Sequence, residues 1–250
     1  MIRVLYLHGF EENPGSPKPQ ALLNDKRFDV RIPSLNVHFK QSRSPLIFAL
    51  MQRWLLGSIA CGMGVGIGAA TYASFTPPFA SVCGLMATST LLYSYRKRLV
   101  SDAVSGSYLC SLEVAKSALL EHKPHVVVGF SWGGALACDM INSAEWTGPT
   151  VLLAPAHRKL LELRGLASSR VRLPCNTVVV HSQADSIVPI EWSRELVAGQ
   201  EVSNVRLLEI KKDPHKMWSI ATDGTMARLV QEAGFQAALT DKTGTDARGM

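Results

Sequence analysis

At 250 residues the chain is long enough for one α/β domain with a full core and needs no second. Charged residues make up only 18% of it and the mean hydropathy is positive, so an apolar segment has to be sought. The net charge of +6 comes from basic residues spread along the chain or flanking one apolar block, without interleaved aromatics, which argues against a nucleic-acid partner and for a membrane surface.

The opening residues, MIRVLYLHGF, read at once as a strand and leave no room for a removable signal peptide. Within them VLYLHG (4–9) is a short apolar run ending in glycine, a buried strand followed by a loop. FDVRIPS (28–34) alternates apolar and polar residues and is a second strand.

The rhythm then breaks. From Trp54 to Phe75, 22 residues pass without a charge, and residues 79–95 add another 17. Each segment is near the length that crosses about 30 Å of hydrocarbon at about 1.5 Å per residue. Arg53 precedes the first; Arg96, Lys97 and Arg98 follow the second; Trp54, Tyr93 and Tyr95 stand at the ends, and Pro77 and Pro78 make the turn. Small residues recur every four positions at Ser58, Gly62, Gly66 and Ala70, and at Ala80, Gly84 and Thr88, which suits close helix packing in lipid. Both ends must join one sheet, so an even number of crossings is required. The expectation is a two-pass membrane hairpin with the catalytic domain on the cytosolic or equivalent side. A soluble helical lid over the active site is the other reading of residues 54–95.

Beyond the insert, residues 108–122 have helical spacing and stop before Pro124. HVVVGF (125–130) is dense in β-branched residues, a central parallel strand, and residues 133–146 read as the helix after it. TVLLAP (150–155), NTVVVHS (176–182) and VRLLEI (205–210) supply three more strands, with helices over 190–198 and 222–234. Alternating strands and helices predict an α/β fold with a mainly parallel sheet of about six strands, covered on both faces. The predicted organisation is a discontinuous catalytic domain, 1–39 and 101–237, an inserted apolar hairpin, 40–100, and a disordered tail, 238–250. Five cysteines (Cys61, Cys83, Cys110, Cys138 and Cys175) are odd in number and scattered with no CxxC pair, which argues for a reducing compartment without disulfides or a zinc site.

The chemistry centres on GFSWGG, residues 129–134. A GxSxG run between an apolar strand and a helix forces its serine into a sharp turn, expected to expose Ser131 Oγ at the carboxyl edge of the sheet. A serine hydroxyl needs a base, and the base needs an orienting acid. HSQADSIVP places Asp185 in the loop after one later strand, and KKDPHKMW places His215 in the loop after the last. Asp213 is too close in sequence to His215 to orient its ring readily. His157 and His181 stand near strand ends and can line the site; His8 suits a structural turn, and His38, His122 and His125 suit loops or helix ends. The oxyanion donors are expected to be the backbone N–H of Trp132 and, from HGFEENPGS, that of Phe10. No metal or organic cofactor is implied.

Together, YLHGF at the start, GFSWGG, HSQADSIVP and the late DPH resemble the α/β-hydrolase superfamily. LYLHGFEENPGSPKPQAL is similar in particular to small YqiA-type esterases, whose chains open with a strand, HGF and a Ser-Pro-rich loop leading into a helix. The resemblance covers residues 2–36 and about 108–235. It implies an α/β-hydrolase-like fold with Ser131 as nucleophile, Asp185 as acid, His215 as base, and Phe10 and Trp132 as oxyanion donors. The apolar insert is foreign to those compact esterases, and DPHKMW replaces their usual glycine-rich approach to the histidine. The resemblance implies cleavage of carboxylic esters or thioesters through an acyl-serine intermediate, and the apolar hairpin adds the expectation of membrane association and of lipid-linked substrates. An acyltransferase using the same triad, or a non-catalytic membrane scaffold of this fold, are the alternatives.

Overall fold

Six strands, β1 (Ile2–Leu7), β2 (Phe28–Arg31), β3 (Val126–Phe130), β4 (Thr150–Leu153), β5 (Thr177–Ser182) and β6 (Arg206–Ile210), form one sheet in the order β2-β1-β3-β4-β5-β6, with every pair parallel. The structure, a computed structural model, describes residues 1–10, 12–35, 37, 78–166, 171–173, 176–200 and 205–246. Burial explains the strand sequences. β3, β4 and β5 lie inside the sheet and are buried at every residue, so their middles are apolar runs, while Thr150, Thr177, His181 and Ser182 are polar residues buried at strand ends. β2 and β6 are its edges, and their burial is mixed.

The helices among the described residues are α1 (Pro17–Leu23), α2 (Pro78–His122), α3 (Trp132–Asn142), α4 (His157–Leu163), α5 (Ile190–Ala198), α6 (Ser219–Thr222) and α7 (Thr225–Asp246). Side chains alternate across each strand. On one face Val4, Tyr6, Val128, Phe130, Val151, Leu153 and Val180 pack with Met217, Ile220, Met226, Leu229 and Val230 from α6, α7 and the loop before them. On the other, α3 lies against β1, β3 and β4. The chain leaves β1 through α1 to β2 on one side, then returns to β3 on the other. The sheet order therefore reverses between β1 and β3, and it is outside the carboxyl ends of strands at such a switch point that open α/β sheets bind ligands.

The chain divides into two compact units, one of Met1–Phe39 with Tyr108–Met250 and one of Lys40–Ser107. α2 runs unbroken through residue 100, where the sequence suggested a boundary.

The membrane hairpin does not stand. Among the described residues no helix is long and apolar enough to cross a membrane, which corrects the expectation of a multi-pass protein. The segment 79–95 is instead the start of the 45-residue α2. It lacks charge, but Ser81, Thr88, Ser89, Thr90, Tyr93, Ser94 and Tyr95 dilute it. A bilayer demands apolarity and not merely absence of charge. The first segment, Trp54–Phe75, lies outside the described residues. At the other end α7 continues to Asp246, so residues 238–246 are helical where a disordered tail was expected. The run Gln236-Ala-Ala-Leu consists of good helix formers.

Candidate active site

Ser131 occupies the turn between β3 and α3 with φ 51° and ψ −107°, a left-handed backbone that side chains rarely adopt. The turn is held on three sides: Ser131 N–H donates to the Leu153 carbonyl at 2.8 Å, and its own carbonyl accepts from Ala135 and Ala156 at 3.1 and 3.0 Å. The flanking glycines are steric requirements. A Cβ on Gly129 would lie 2.7 Å from the Gly133 carbonyl oxygen, and one on Gly134 would lie 2.9 Å from Pro155 Cα. At Gly133 it would sit 2.0 Å from the Leu7 carbonyl oxygen, inside the backbone of β1. Gly133→Ala must push α3 off the sheet. The expected cost is about 3 kcal/mol, a thermal midpoint lower by roughly 6–12 °C in a chain of this size, measurable by calorimetry or circular dichroism.

Although Ser131 is the N-cap of α3, its side chain makes no capping bond. Its Oγ lies 2.9 Å from Nε2 of His215, whose Nδ1 lies 2.6 Å from Oδ2 of Asp185. Three residues from the loops after β3, β5 and β6 thus form one continuous hydrogen-bonded line. Exposure at the sheet edge is corrected: Ser131 is 8% and His215 9% exposed. The Phe130 ring packs beside the imidazole, with its centroid 5.2 Å from that of the His215 ring. A largely buried setting strengthens interactions with developing charge.

Asp185 is fixed from two directions. Its Oδ1 accepts the N–H groups of Ile187 and Val188 at 2.8 and 2.9 Å. Its Oδ2 faces His215 and also His181 Nε2, at 3.1 Å. Burial pushes the carboxyl pKa up, but the bonds from His181, His215 and the Val188 N–H outweigh it and hold it well below the usual carboxylate range. A depressed folded-state pKa contributes stability that is fully present above the unfolded value, about 3.9, and is lost as pH falls towards the folded one. The protein should therefore lose stability with acid below about pH 4 partly through this residue. Thermal midpoints measured from pH 2 to 6 should fall less steeply at the acid end for Asp185→Asn than for the wild type.

The competing residues are engaged elsewhere. Asp213 Oδ2 accepts the Ser219 N–H at 2.8 Å and so heads α6, while its carbonyl accepts from Ser182 Oγ. His8 accepts the Leu35 N–H on Nε2, which leaves Nδ1 to donate to the Gly9 carbonyl at 2.9 Å, a turn role. His125 accepts the Arg3 N–H and His122 meets the Asp29 carbonyl. His157 begins α4, its pKa lowered by burial, with a backbone hydrogen bond at Pro155 pulling against that. His38 lies outside the described residues.

The two expected oxyanion residues come close together. A Cβ on Gly9 would lie 3.4 Å from Ser131 Cβ, so the loop after β1 rests against the serine, and the rings of Phe10 and Trp132 are 6.2 Å apart. Trp132 is the first residue of α3, where a backbone N–H has no acceptor within its helix.

The sequence had placed His181 only near the site, and its role is more specific. It is fully buried, and its Nε2 lies 3.1 Å from Asp185 Oδ2 and 3.0 Å from the Val188 carbonyl. Both are acceptors, so Nε2 carries hydrogen, and Ser193 Oγ, 2.7 Å from Nδ1, completes the ring's bonding. Glu12 and Lys18 were missed entirely. They form a buried ion pair at 3.0 Å beneath the same loops.

No family model and no curated protein matches the sequence. Among solved structures, alpha/beta hydrolase domain-containing protein 10 from mouse matches over 96% of this chain and 90% of its own, at 12% identity and a TM-score of 0.54. The fold is that of the α/β hydrolases. An α/β serine hydrolase without lid from Xanthomonas campestris matches over 51% of this chain and 56% of its own (19% identity, TM-score 0.39). An α/β serine hydrolase homologue from Coxiella burnetii matches over 50% and 59% (15%, 0.37). The chain thus spans less than two thirds of these last two proteins.

Proposed function

We propose that the protein is a serine hydrolase that cleaves carboxylic esters or thioesters. The observation that supports this reading is the unbroken line from Ser131 Oγ through both nitrogens of His215 to Asp185, with the serine on the strand-to-helix turn. In the proposed reaction His215 Nε2 takes the Ser131 proton as Oγ attacks the acyl carbon. The N–H groups of Phe10 and Trp132 bind the resulting oxyanion. Collapse of the intermediate expels the alcohol or thiol, which receives the proton from His215 and leaves the acyl group on Ser131. A water molecule, deprotonated by the same ring, then attacks the acyl-serine and releases the acid. Asp185 stays ionised throughout, keeps hydrogen on Nδ1 and stabilises the imidazolium. The scheme calls on no metal or organic cofactor. Lipid-linked substrates were inferred from the membrane hairpin, and without it the substrate class is ester or thioester alone.

The test is covalent labelling of the purified protein by a fluorophosphonate probe, followed by hydrolysis assays on esters and thioesters graded by acyl length. Labelling at one serine with turnover of some member of the series is expected. A wild-type protein that takes no label and turns over neither class would sink the reading.

A further inference from the structure

The loop after β1 and the loop after β6 approach Ser131 from different parts of the chain, and the proposed reaction needs both in register. The first carries the Phe10 N–H and the second carries His215. One buried pair of charges touches both. Glu12 Oε2 accepts the Gly9 N–H, the residue before Phe10, at 3.1 Å, and the Tyr6 hydroxyl at 3.1 Å. Glu12 Oε1 lies 3.0 Å from Lys18 Nζ. Lys18 Nζ in turn donates to the carbonyl of Lys216, the residue after His215, at 2.7 Å, across 198 positions of sequence.

The ammonium's third direction is also filled. It stands 3.7 Å from the centroid of the Phe130 ring, whose edge meets Gly9 and which packs 5.2 Å from the His215 ring. Three donors therefore meet a carboxylate, a carbonyl and an aromatic face. Both side chains are nearly sealed, at 1% and 6% exposure. Burial pulls the Lys18 pKa down, and the charge of Glu12 pulls against it.

A buried ion pair is a poor device for stability alone, because apolar side chains of similar volume hold a fold at least as well. What apolar side chains cannot do is grip two backbone groups in fixed directions. We propose that Glu12 and Lys18 are positioning residues, a clasp that sets the oxyanion loop and the base loop at the spacing the serine chemistry requires. The proposal rests on the hydrolase reading above. Neither residue touches the reacting atoms. Glu12 acts through the Gly9 N–H, and Lys18 acts through the Lys216 carbonyl.

The decisive comparison is Lys18→Met against Lys18→Met/Glu12→Gln, by thermal midpoint and by kcat and KM separately. Lys18→Met leaves a buried carboxylate without its partner, so it loses stability. Its kcat should fall ~10- to 100-fold, with KM within about threefold, because a displacement of the order of 1 Å at a reacting group costs up to ~100-fold. The double variant removes the orphaned charge while keeping an acceptor for the Gly9 N–H. Its thermal midpoint should recover towards the wild type while kcat stays at least ~10-fold low. A purely structural pair predicts that kcat recovers with stability, and that result overturns the proposal. So does an unchanged kcat in Lys18→Met. Fluorophosphonate labelling separates the two levels. A wild type that takes no label and turns over neither esters nor thioesters overturns the hydrolase reading and the clasp with it, whereas a labelled wild type with a fully active double variant overturns the clasp alone.

Discussion

Ser131→Ala is expected to lose all fluorophosphonate labelling and to reduce ester or thioester turnover by about 10⁶-fold. The proposed reaction has one nucleophilic atom, Ser131 Oγ, and among the described residues no other side chain makes a hydrogen bond to His215 Nε2. Folding should hardly change. Alanine at φ 51° carries the same backbone strain as serine, and the turn is fixed by main-chain bonds to Leu153, Ala135 and Ala156 that the substitution keeps. What is lost is one side-chain hydrogen bond, about 1 kcal/mol at most, or roughly 2–4 °C in thermal midpoint. A variant that is folded, unlabelled and inactive is the expected outcome. Equal labelling of Ser131→Ala and wild type would mean that the probe reports another serine, and the site assignment would fall.

The contrast between lost activity and kept stability reflects how differently the sequence encodes the two. The sheet was legible because β3, β4 and β5 are buried at every residue and each carries a run of consecutive apolar residues: Val126–Val128, Val151–Leu153 and Val178–Val180. The elbow was legible because its geometry admits glycine alone at three positions: an atom added at Gly129, Gly133 or Gly134 meets backbone within 3 Å. Such constraints act within a few residues and leave a mark that a short stretch displays. Asp185 and His215 became candidates in the same way, from loops that follow recognisable strands.

Lys18 and Glu12 left no such mark. Each is an ordinary charged residue in a loop-like stretch, ENPGSPKP, that any solvent-facing turn could contain. Lys18 is held by Lys216 and Phe130, 198 and 112 positions further on, and Glu12 is paired to it. No local pattern records a contact of that span. The mistaken hairpin has the opposite cause, a local signal read too generously. Residues 79–95 carry no charge, but hydroxyls and small residues do not give the free energy of transfer that a bilayer demands.

Asp185→Asn is expected to lower kcat by about 10⁴-fold while leaving the protein folded. The surrounding bonds dictate how the new amide sits. Ile187 and Val188 N–H both point at the position of Oδ1, so the amide oxygen must occupy that side to accept them. The NH₂ group is thereby forced into the place of Oδ2, 2.6 Å from His215 Nδ1. There it donates, so His215 must accept on Nδ1 and carry its hydrogen on Nε2, facing Ser131. A ring in that tautomer cannot take the serine proton. The same NH₂ also confronts the hydrogen on His181 Nε2, which retains the Val188 carbonyl as its acceptor, so His181 can keep its place. Single-turnover acylation by an activated ester near neutral pH, beside thermal midpoints, measures both effects. A loss smaller than tenfold in a folded variant would show that another group orients His215, and Asp185 would no longer be the acid of the proposed triad.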